Sequence, residues 1–194
     1  MLQCVPKFVI NLDRRTDRYL AFDQEQTKLF DSPPIRVSAI EDSSFIKGCA
    51  ASHLSIITEA RQQAWPFVLI MEDDCTFRPG SRLYAESALS HVPDCDIALG
   101  GLYNAAGLYP INEYWFSVSR VNGLHFYIVF KSAYDIILKE YDYKTHLDNW
   151  YSISGLRMCV TRKMFALQHP GYSDNTRRHT DYTTQQRRTG IELL

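Results

Sequence analysis

The residues with the most chemical potential in this chain stand together: Glu72, Asp73 and Asp74, reached directly from the apolar run Phe67-Val68-Leu69-Ile70-Met71. Three adjacent carboxylates repel one another, so their adjacency costs stability unless a cation or water compensates. Oxygen-rich clusters suit Mg²⁺ or Mn²⁺, which keep several waters and share a substrate phosphate. The triplet therefore points to a divalent cation holding a diphosphate. The alternative is a solvated acidic turn, and short acidic runs are common enough to keep both open. Arg14 and Arg18 are four residues apart, hence on one helix face, where they could meet phosphate or ribose or simply be solvated. Ser52 and His53 offer hydrogen-bond donors, although His53 could equally be a satisfied helix histidine. Asp148 lies beside Leu147, Trp150 and Tyr151. In such surroundings a carboxylate can serve as a general base, or it can cap a helix. His125 is the alternate base.

The elements that must position these groups follow from pattern. Phe67–Met71, entered through Pro66, reads as a strand buried on both faces. Its carboxylates then fall at the carboxyl end, where open α/β sheets bind ligands. Lys7–Leu12 is a short strand, followed by a helix to about Phe30 with Tyr19, Leu20, Phe22 and Leu29 on its inner face. Ile35–Ile40 is a second strand. Small residues from Lys47 open a helix that reaches about Ala64. A helix from Pro79 to about His91 has Ser81 as its expected N-cap. Asp96–Gly101 is a strand whose two glycines leave its backbone open to a ligand. This alternation argues for a largely parallel three-layer sandwich. Beyond Gly101 an aromatic loop precedes two runs, Tyr114–Val118 and Leu124–Phe130. The Asn122-Gly123 turn signal between them predicts a hairpin. A helix over Ser132–Glu140 follows, and the tail is locally basic (Arg177, Arg178, His179, Arg187, Arg188) and could fold over a diphosphate or simply be a solvated terminus.

Composition bounds the rest. The 194 residues are 45% hydrophobic and 22% charged, with a net charge of −1, which fits one globular domain over residues 1–194 and gives no global field for nucleic acid. No apolar run is long enough to span a bilayer, and the first residues lack signal-peptide character. A cytoplasmic protein is expected, with peripheral membrane contact left open. Five scattered cysteines (Cys4, Cys49, Cys75, Cys95, Cys159) without a CxxC pair argue for reduced thiols and against structural zinc. Cys75 reads as a packing residue.

Three ordered blocks carry a resemblance. Val9-Ile10-Asn11-Leu12-Asp13-Arg14-Arg15-Thr16-Asp17-Arg18 resembles the N-terminal stretch of glycosyltransferase family 25, the lipooligosaccharide galactosyltransferase and collagen galactosyltransferase-like family. Gly48-Cys49-Ala50-Ala51-Ser52-His53 resembles its G-C-x-x-S-H helix start, and Ile70-Met71-Glu72-Asp73-Asp74 its E-D-D block. Weaker similarity continues through Leu147-Asp148-Asn149 and Pro170-Gly171-Tyr172-Ser173-Asp174. The match is firm over residues 8–78. It implies a GT-A nucleotide-sugar fold: a three-layer α/β/α sandwich with a mostly parallel central sheet and a small antiparallel part in the C-terminal half. It also implies a UDP-sugar donor, Mn²⁺ or Mg²⁺, and inverting transfer to a glycan or glycoconjugate hydroxyl, as in lipopolysaccharide biosynthesis. Carried residue by residue, Glu72 and Asp74 are the metal and ribose-facing carboxylates. GT-A folds often recruit a late histidine, so His169 is a candidate third metal ligand; the competing reading is a structural histidine before Pro170. Asn11, Leu12, Arg14, Arg18, Ser38, Ala39, Gly48, Ser52, His53 and Asp73 lie on the donor side. Gly123-Leu124-His125-Phe126-Tyr127 departs from the glycine-rich strand the family often carries there, which bears on the acceptor. Two other readings stand beside this one: metal-dependent nucleotidyl or phosphodiester transfer, and a non-catalytic glycan- or nucleotide-binding module.

Overall fold

The computed structural model describes residues 3, 5–174 and 178–194; Cys4 and Arg177 lie outside the described residues. The elements in chain order are β1 (Lys7–Asn11), α1 (Thr16–Gln26), β2 (Ile35–Ser38), α2 (Phe45–Gln62), β3 (Phe67–Glu72), β4 (Cys75–Phe77), α3 (Ser81–Ser90), β5 (Ile97–Gly101), β6 (Asn104–Ala106), β7 (Tyr109–Pro110), β8 (Trp115–Val118), β9 (Arg120–Asn122) and β10 (Phe126–Phe130). There follow α4 (Lys131–Glu140), α5 (Leu147–Tyr151), β11 (Met158–Thr161), β12 (Lys163–Met164), β13 (Ala166–Gln168), β14 (Gly171–Ser173), β15 (Arg178–Thr180), α6 (Thr183–Arg188) and β16 (Glu192–Leu193).

Side-chain alternation along the central strands builds three layers. Successive strand residues point to opposite faces. Val68 and Ile70 of β3, with Tyr127 and Val129 of β10, pack on one face against Leu54, Ile57 and Ala60 of α2 and Ala133 and Ile137 of α4. Leu69 and Met71, with Phe126 and Ile128, pack on the other face against Phe22 of α1 and Ala85 and Leu89 of α3. The continuous apolar runs read from the sequence are therefore strands covered on both sides.

The large sheet has the order β2-β1-β3-β10-β5-β11-β8-β7. It is mixed. β1 pairs in parallel with β2 and β3, and β5 with β11. β10 runs antiparallel between β3 and β5, and β8 is antiparallel to β11 and β7. A parallel return needs a crossover to the far end of the sheet. The excursion from β6 to β9 makes no such crossover, so the chain re-enters as an antiparallel β10. The hairpin expected around Asn122-Gly123 does not form: β8 pairs with β7 and β11, and β9 pairs with β6. The turn signal is nevertheless physical, because Gly123 has φ +92° and a Cβ there would meet the Tyr103 ring at 2.6 Å.

Three local expectations are corrected. α1 spans Thr16–Gln26 and leaves Leu20 64% exposed. Ser81 does not cap α3; Gly80 takes that position with φ +85°, and the Ser81 hydroxyl donates to the Phe165 carbonyl at 2.9 Å. Gly100 and Gly101 do not open the β5 backbone to a ligand. A Cβ at Gly101 would meet the Ala166 carbonyl oxygen at 1.9 Å, so these glycines let Phe165 and the start of β13 close over the sheet.

Asp96, at the entrance to β5, shows how the neighbouring strand β11 and helix α4 are tied to it. It accepts hydrogen bonds from Ser132 Oγ (2.7 Å), the Arg157 backbone N–H (2.9 Å) and Arg157 Nε (3.1 Å). Burial favours its neutral form, but the bonds from Arg157 and Ser132 outweigh that and lower its pKa. A depressed carboxylate pKa stabilises the fold above the unfolded value and loses that contribution as pH falls through the folded value. Asp96→Asn is expected to cost about 1–2 kcal/mol at pH 7, a figure reduced by the exposure of Arg157. Denaturant titrations should show the difference from wild type shrinking below about pH 4.

Candidate active site

A cleft of about 370 Å³ opens at the carboxyl ends of β1 and β3, within the size range of small-molecule sites, roughly 300–1,000 Å³. Strand parity explains what faces it. Glu72 has the parity of Val68 and Ile70 and turns toward α2, where its Oε1 lies 3.4 Å from His53 Nε2. Asp73 has the parity of Leu69 and Met71 and turns toward α1. Its carboxylate accepts from Asn11 Nδ2 at 2.6 Å and pairs with Arg18 Nη2 at 2.5 Å. Asp74 follows in the turn, 2.6 Å from the same Arg18 nitrogen, and accepts from Gln168 Nε2 at 3.0 Å.

The electrostatics follow from this placement. Burial pushes the Asp73 carboxyl up to about 7, with Arg18 opposing and Asp74 adding to the rise. Asp74 is raised for the same first reason. Burial disfavours a charged His53, yet hydrogen bonds to Cys49 and Glu72 prevail and push it up to about 10. Burial likewise disfavours charge on Glu72, but His53 holds its pKa down. The repulsion anticipated within the triplet is thus met by Arg18 from α1 and His53 from α2.

Most of the residues expected at the site line this one cleft: Asn11, Leu12, Arg14, Arg18, Ala39, Gly48, Ser52, His53, Glu72, Asp73, Asp74 and Asp148. Several act through structure. Asn11 is buried; besides Asp73 it donates to the Arg15 carbonyl at 3.0 Å and accepts from Arg36 Nη2 at 2.7 Å. Ser52 Oγ accepts from the Ile40 N–H at 2.8 Å and donates to the Gly48 carbonyl at 2.9 Å, fastening the cleft loop to α2. Gly48 allows that approach, since a Cβ there would meet the Ile40 carbonyl oxygen at 2.7 Å. Arg14 pairs with Glu41 and, at 3.0 Å, with Asp174. On the opposite wall Asp148 Oδ2 accepts from the Gly123 N–H at 2.9 Å.

Three expected residues lie elsewhere. Ser38 is exposed and donates to Asp13 at 2.8 Å, outside the cleft lining. His125 is 0% exposed beneath the site, with Nε2 against the Ala166 carbonyl at 3.2 Å. Burial lowers its pKa, and without a surface on the cleft it cannot reach an acceptor proton as a base. His169 lines a neighbouring cavity of about 390 Å³ behind Asp73 and Asp74. The metal set Glu72, Asp74 and His169 is not assembled: among the described residues, the ligating atoms that converge belong to Cys49, His53 and Glu72. Asp73 and Asp74 have the donor chemistry for one hard cation, which would compete with Arg18 for them: both carboxylates reach a single cationic nitrogen, and among the described residues Asp74 Oδ1 is buried without a partner. From the tail, Asp174 and Tyr182 reach the cleft lining, whereas Arg178, Arg187 and Arg188 do not.

Sequence reasoning missed Cys49, Gln168, Tyr103 and Tyr182. The two tyrosines stack with ring centroids 4.4 Å apart and both line the cleft. The i, i+4 spacing of Cys49 and His53 was the available signal for the first. Tyr103 and Tyr182 are 79 positions apart, a pairing that only the fold creates.

No protein-family model matches the chain, and no curated protein matches it. Among solved structures it is similar to the A197 protein from STIV, with 11% identity over 90% of this chain and 93% of that one and a TM-score of 0.50. It is also similar to mannose-1-phosphate geranyltransferase from Thermus thermophilus, with 8% identity over 83% and 74% and a TM-score of 0.50. A glycosyltransferase involved in the glycosylation of the major capsid of PBCV-1 gives 12% identity over 96% and 98%, with a TM-score of 0.48. At such identities the likeness shows the fold: the chain has a GT-A-like α/β/α architecture. No helix among the described residues is long and apolar enough to cross a membrane.

Arg18 is the counter-ion on which the buried acids rely. Arg18→Gln is expected to lower stability by about 3 kcal/mol or more at pH 8, because the carboxylates then face each other unpaired. A carboxyl whose folded pKa is raised stabilises when protonated and loses that contribution as pH rises. The penalty should therefore be smaller at pH 5 than at pH 8 in thermal melts; an equal penalty would show that Arg18 acts by packing alone.

Proposed function

We propose that the chain is a metal-dependent, inverting glycosyltransferase that moves a hexose, galactose or glucose, from a UDP-sugar to a hydroxyl of a glycan or glycoconjugate. One observation carries the reading: a cleft at the carboxyl ends of β1 and β3 with buried acids and two arginines on one wall and a carboxylate, Asp148, on the other.

The chemistry follows from charge. The bond between the sugar's anomeric carbon and the diphosphate oxygen breaks, and its electron pair goes to the leaving UDP. Arg14 and Arg18 place positive charge on the wall where that negative charge grows. Asp73 and Asp74 would hold Mn²⁺ or Mg²⁺ beside the diphosphate, where the ion supplies Lewis-acid neutralisation. The acceptor hydroxyl attacks the opposite face of the anomeric carbon and gives its proton to Asp148. The Gly123 N–H fixes that carboxylate's orientation and leaves it lone pairs for the proton. The stacked Tyr103 and Tyr182 offer ring faces of the kind sugar and base planes pack on.

A second reading is metal-dependent nucleotidyl transfer, in which a phosphate oxygen of a sugar phosphate attacks the α-phosphorus of a nucleoside triphosphate and pyrophosphate leaves; the fold shared with the mannose-1-phosphate geranyltransferase supports it. A panel of nucleotide sugars, and of nucleoside triphosphates paired with sugar phosphates, with Mn²⁺ separates them: the first releases UDP, the second pyrophosphate. For the first, Asp74→Asn is expected to slow UDP release at least about 100-fold, and Asp148→Asn to slow transfer by about 10²–10⁴ while sparing donor binding. Full activity of Asp74→Asn with metal chelated would reject it.

A further inference from the structure

α2 and β3 place three chemically different ligands together on the cleft wall. Cys49 and His53 lie one turn apart on one face of α2, and Glu72 ends β3 opposite them. Their donor atoms all fall within 4.8 Å of one another. Ligands of tetrahedral zinc, about 2.0–2.3 Å from the ion, stand roughly 3.3–3.6 Å apart. His53 Nε2 and Glu72 Oε1 already show that separation, at 3.4 Å. The remaining separations, none above 4.8 Å, must shorten by roughly 1 Å at most to reach that range.

The surroundings match what such a site requires. His53 Nδ1 lies 2.9 Å from the Tyr127 hydroxyl, which fixes the ring and leaves Nε2 turned to Glu72. Metal-bound histidines are commonly oriented by a partner on their other nitrogen. His53 is buried, while Cys49 and Glu72 are only partly covered, and all three line the cleft. An ion held here keeps an open side and an entry path. Thiolate, imidazole and carboxylate are not the all-oxygen set that suits Mg²⁺; they select a borderline-soft ion. Three protein ligands with a fourth position free is also the pattern of zinc sites that bind a water or substrate oxygen.

We propose that Cys49, His53 and Glu72 form a binding site for one Zn²⁺-class ion whose fourth position faces the cleft. The site is separate from the Asp73–Asp74–Arg18 cluster, and strand parity is what separates them: Glu72 points to α2, Asp73 to α1. The ion would offer its open position to an oxygen of whatever occupies the cleft. The site needs neither nucleotide nor turnover to be filled, so it stands or falls apart from the proposed transfer reaction.

Co²⁺ reports the ligand set directly. Added to the metal-free full chain, one equivalent should give the visible bands of a tetrahedral ion and a near-ultraviolet thiolate charge-transfer band, both removed by one equivalent of Zn²⁺ and not by excess Mg²⁺. Cys49→Ser should abolish the charge-transfer band, and Asp74→Asn should keep it. Tyr127→Phe should weaken Co²⁺ binding by about 10- to 100-fold through loss of the ring's orientation. Circular dichroism confirms that each variant is folded. Absence of the charge-transfer band in folded wild type, or its persistence in Cys49→Ser, would overturn the proposal.

Discussion

One guanidinium organises the functional end of this molecule. Arg18 Nη2 lies within 2.6 Å of both Asp73 and Asp74, two carboxyl groups taken largely out of water at the tip of a central strand. Without a counter-ion that arrangement would neutralise itself by taking up protons. α1 therefore does more than cover the sheet: it delivers the charge that lets the acids stay together. α2 does the same for Glu72 through His53. Each helix follows an early strand of the sheet, so the two counter-charges come from the alternation of strands and helices itself.

The same geometry divides the triplet. Residues that are neighbours in sequence cannot share a face of a strand, and the division runs unbroken from the core to the site. Val68, Ile70 and Glu72 belong to one layer, and Leu69, Met71 and Asp73 to the other. A pair of acids bridged by one nitrogen suits a hard ion and a diphosphate. A carboxylate beside imidazole and thiol suits a softer one. A contiguous acidic run thus supplies two chemically distinct walls of one cleft.

Much of this was legible in the sequence because it was local. The apolar run into Glu72-Asp73-Asp74, the polar helix start at Arg14 and Arg18, and the Gly48–His53 segment each carry their meaning in a few residues. The mixed sheet was not legible, since the direction of β10 depends on where the excursion after Gly101 returns. His125 looked available as a base because burial cannot be read from a residue name; the fold seats it under β13. Asn122-Gly123 did announce a left-handed turn, but a turn signal does not say which strands it joins. Gln168 and Tyr182 reach the site from late in the chain, and only tertiary folding brings them there. The parity of Glu72 against Asp73, by contrast, was present in the pattern of β3.

The central claim is that the buried acids and the arginines beside them make one wall of a diphosphate-binding cleft. Crystals grown with UDP and Mn²⁺, measured at a wavelength where manganese scatters anomalously, test it most directly. The account predicts a manganese peak against Asp73 and Asp74, with the nucleotide in the same cleft and its diphosphate on the wall that carries Arg14 and Arg18. A peak away from Asp73 and Asp74, or a nucleotide bound outside this cleft, would contradict it.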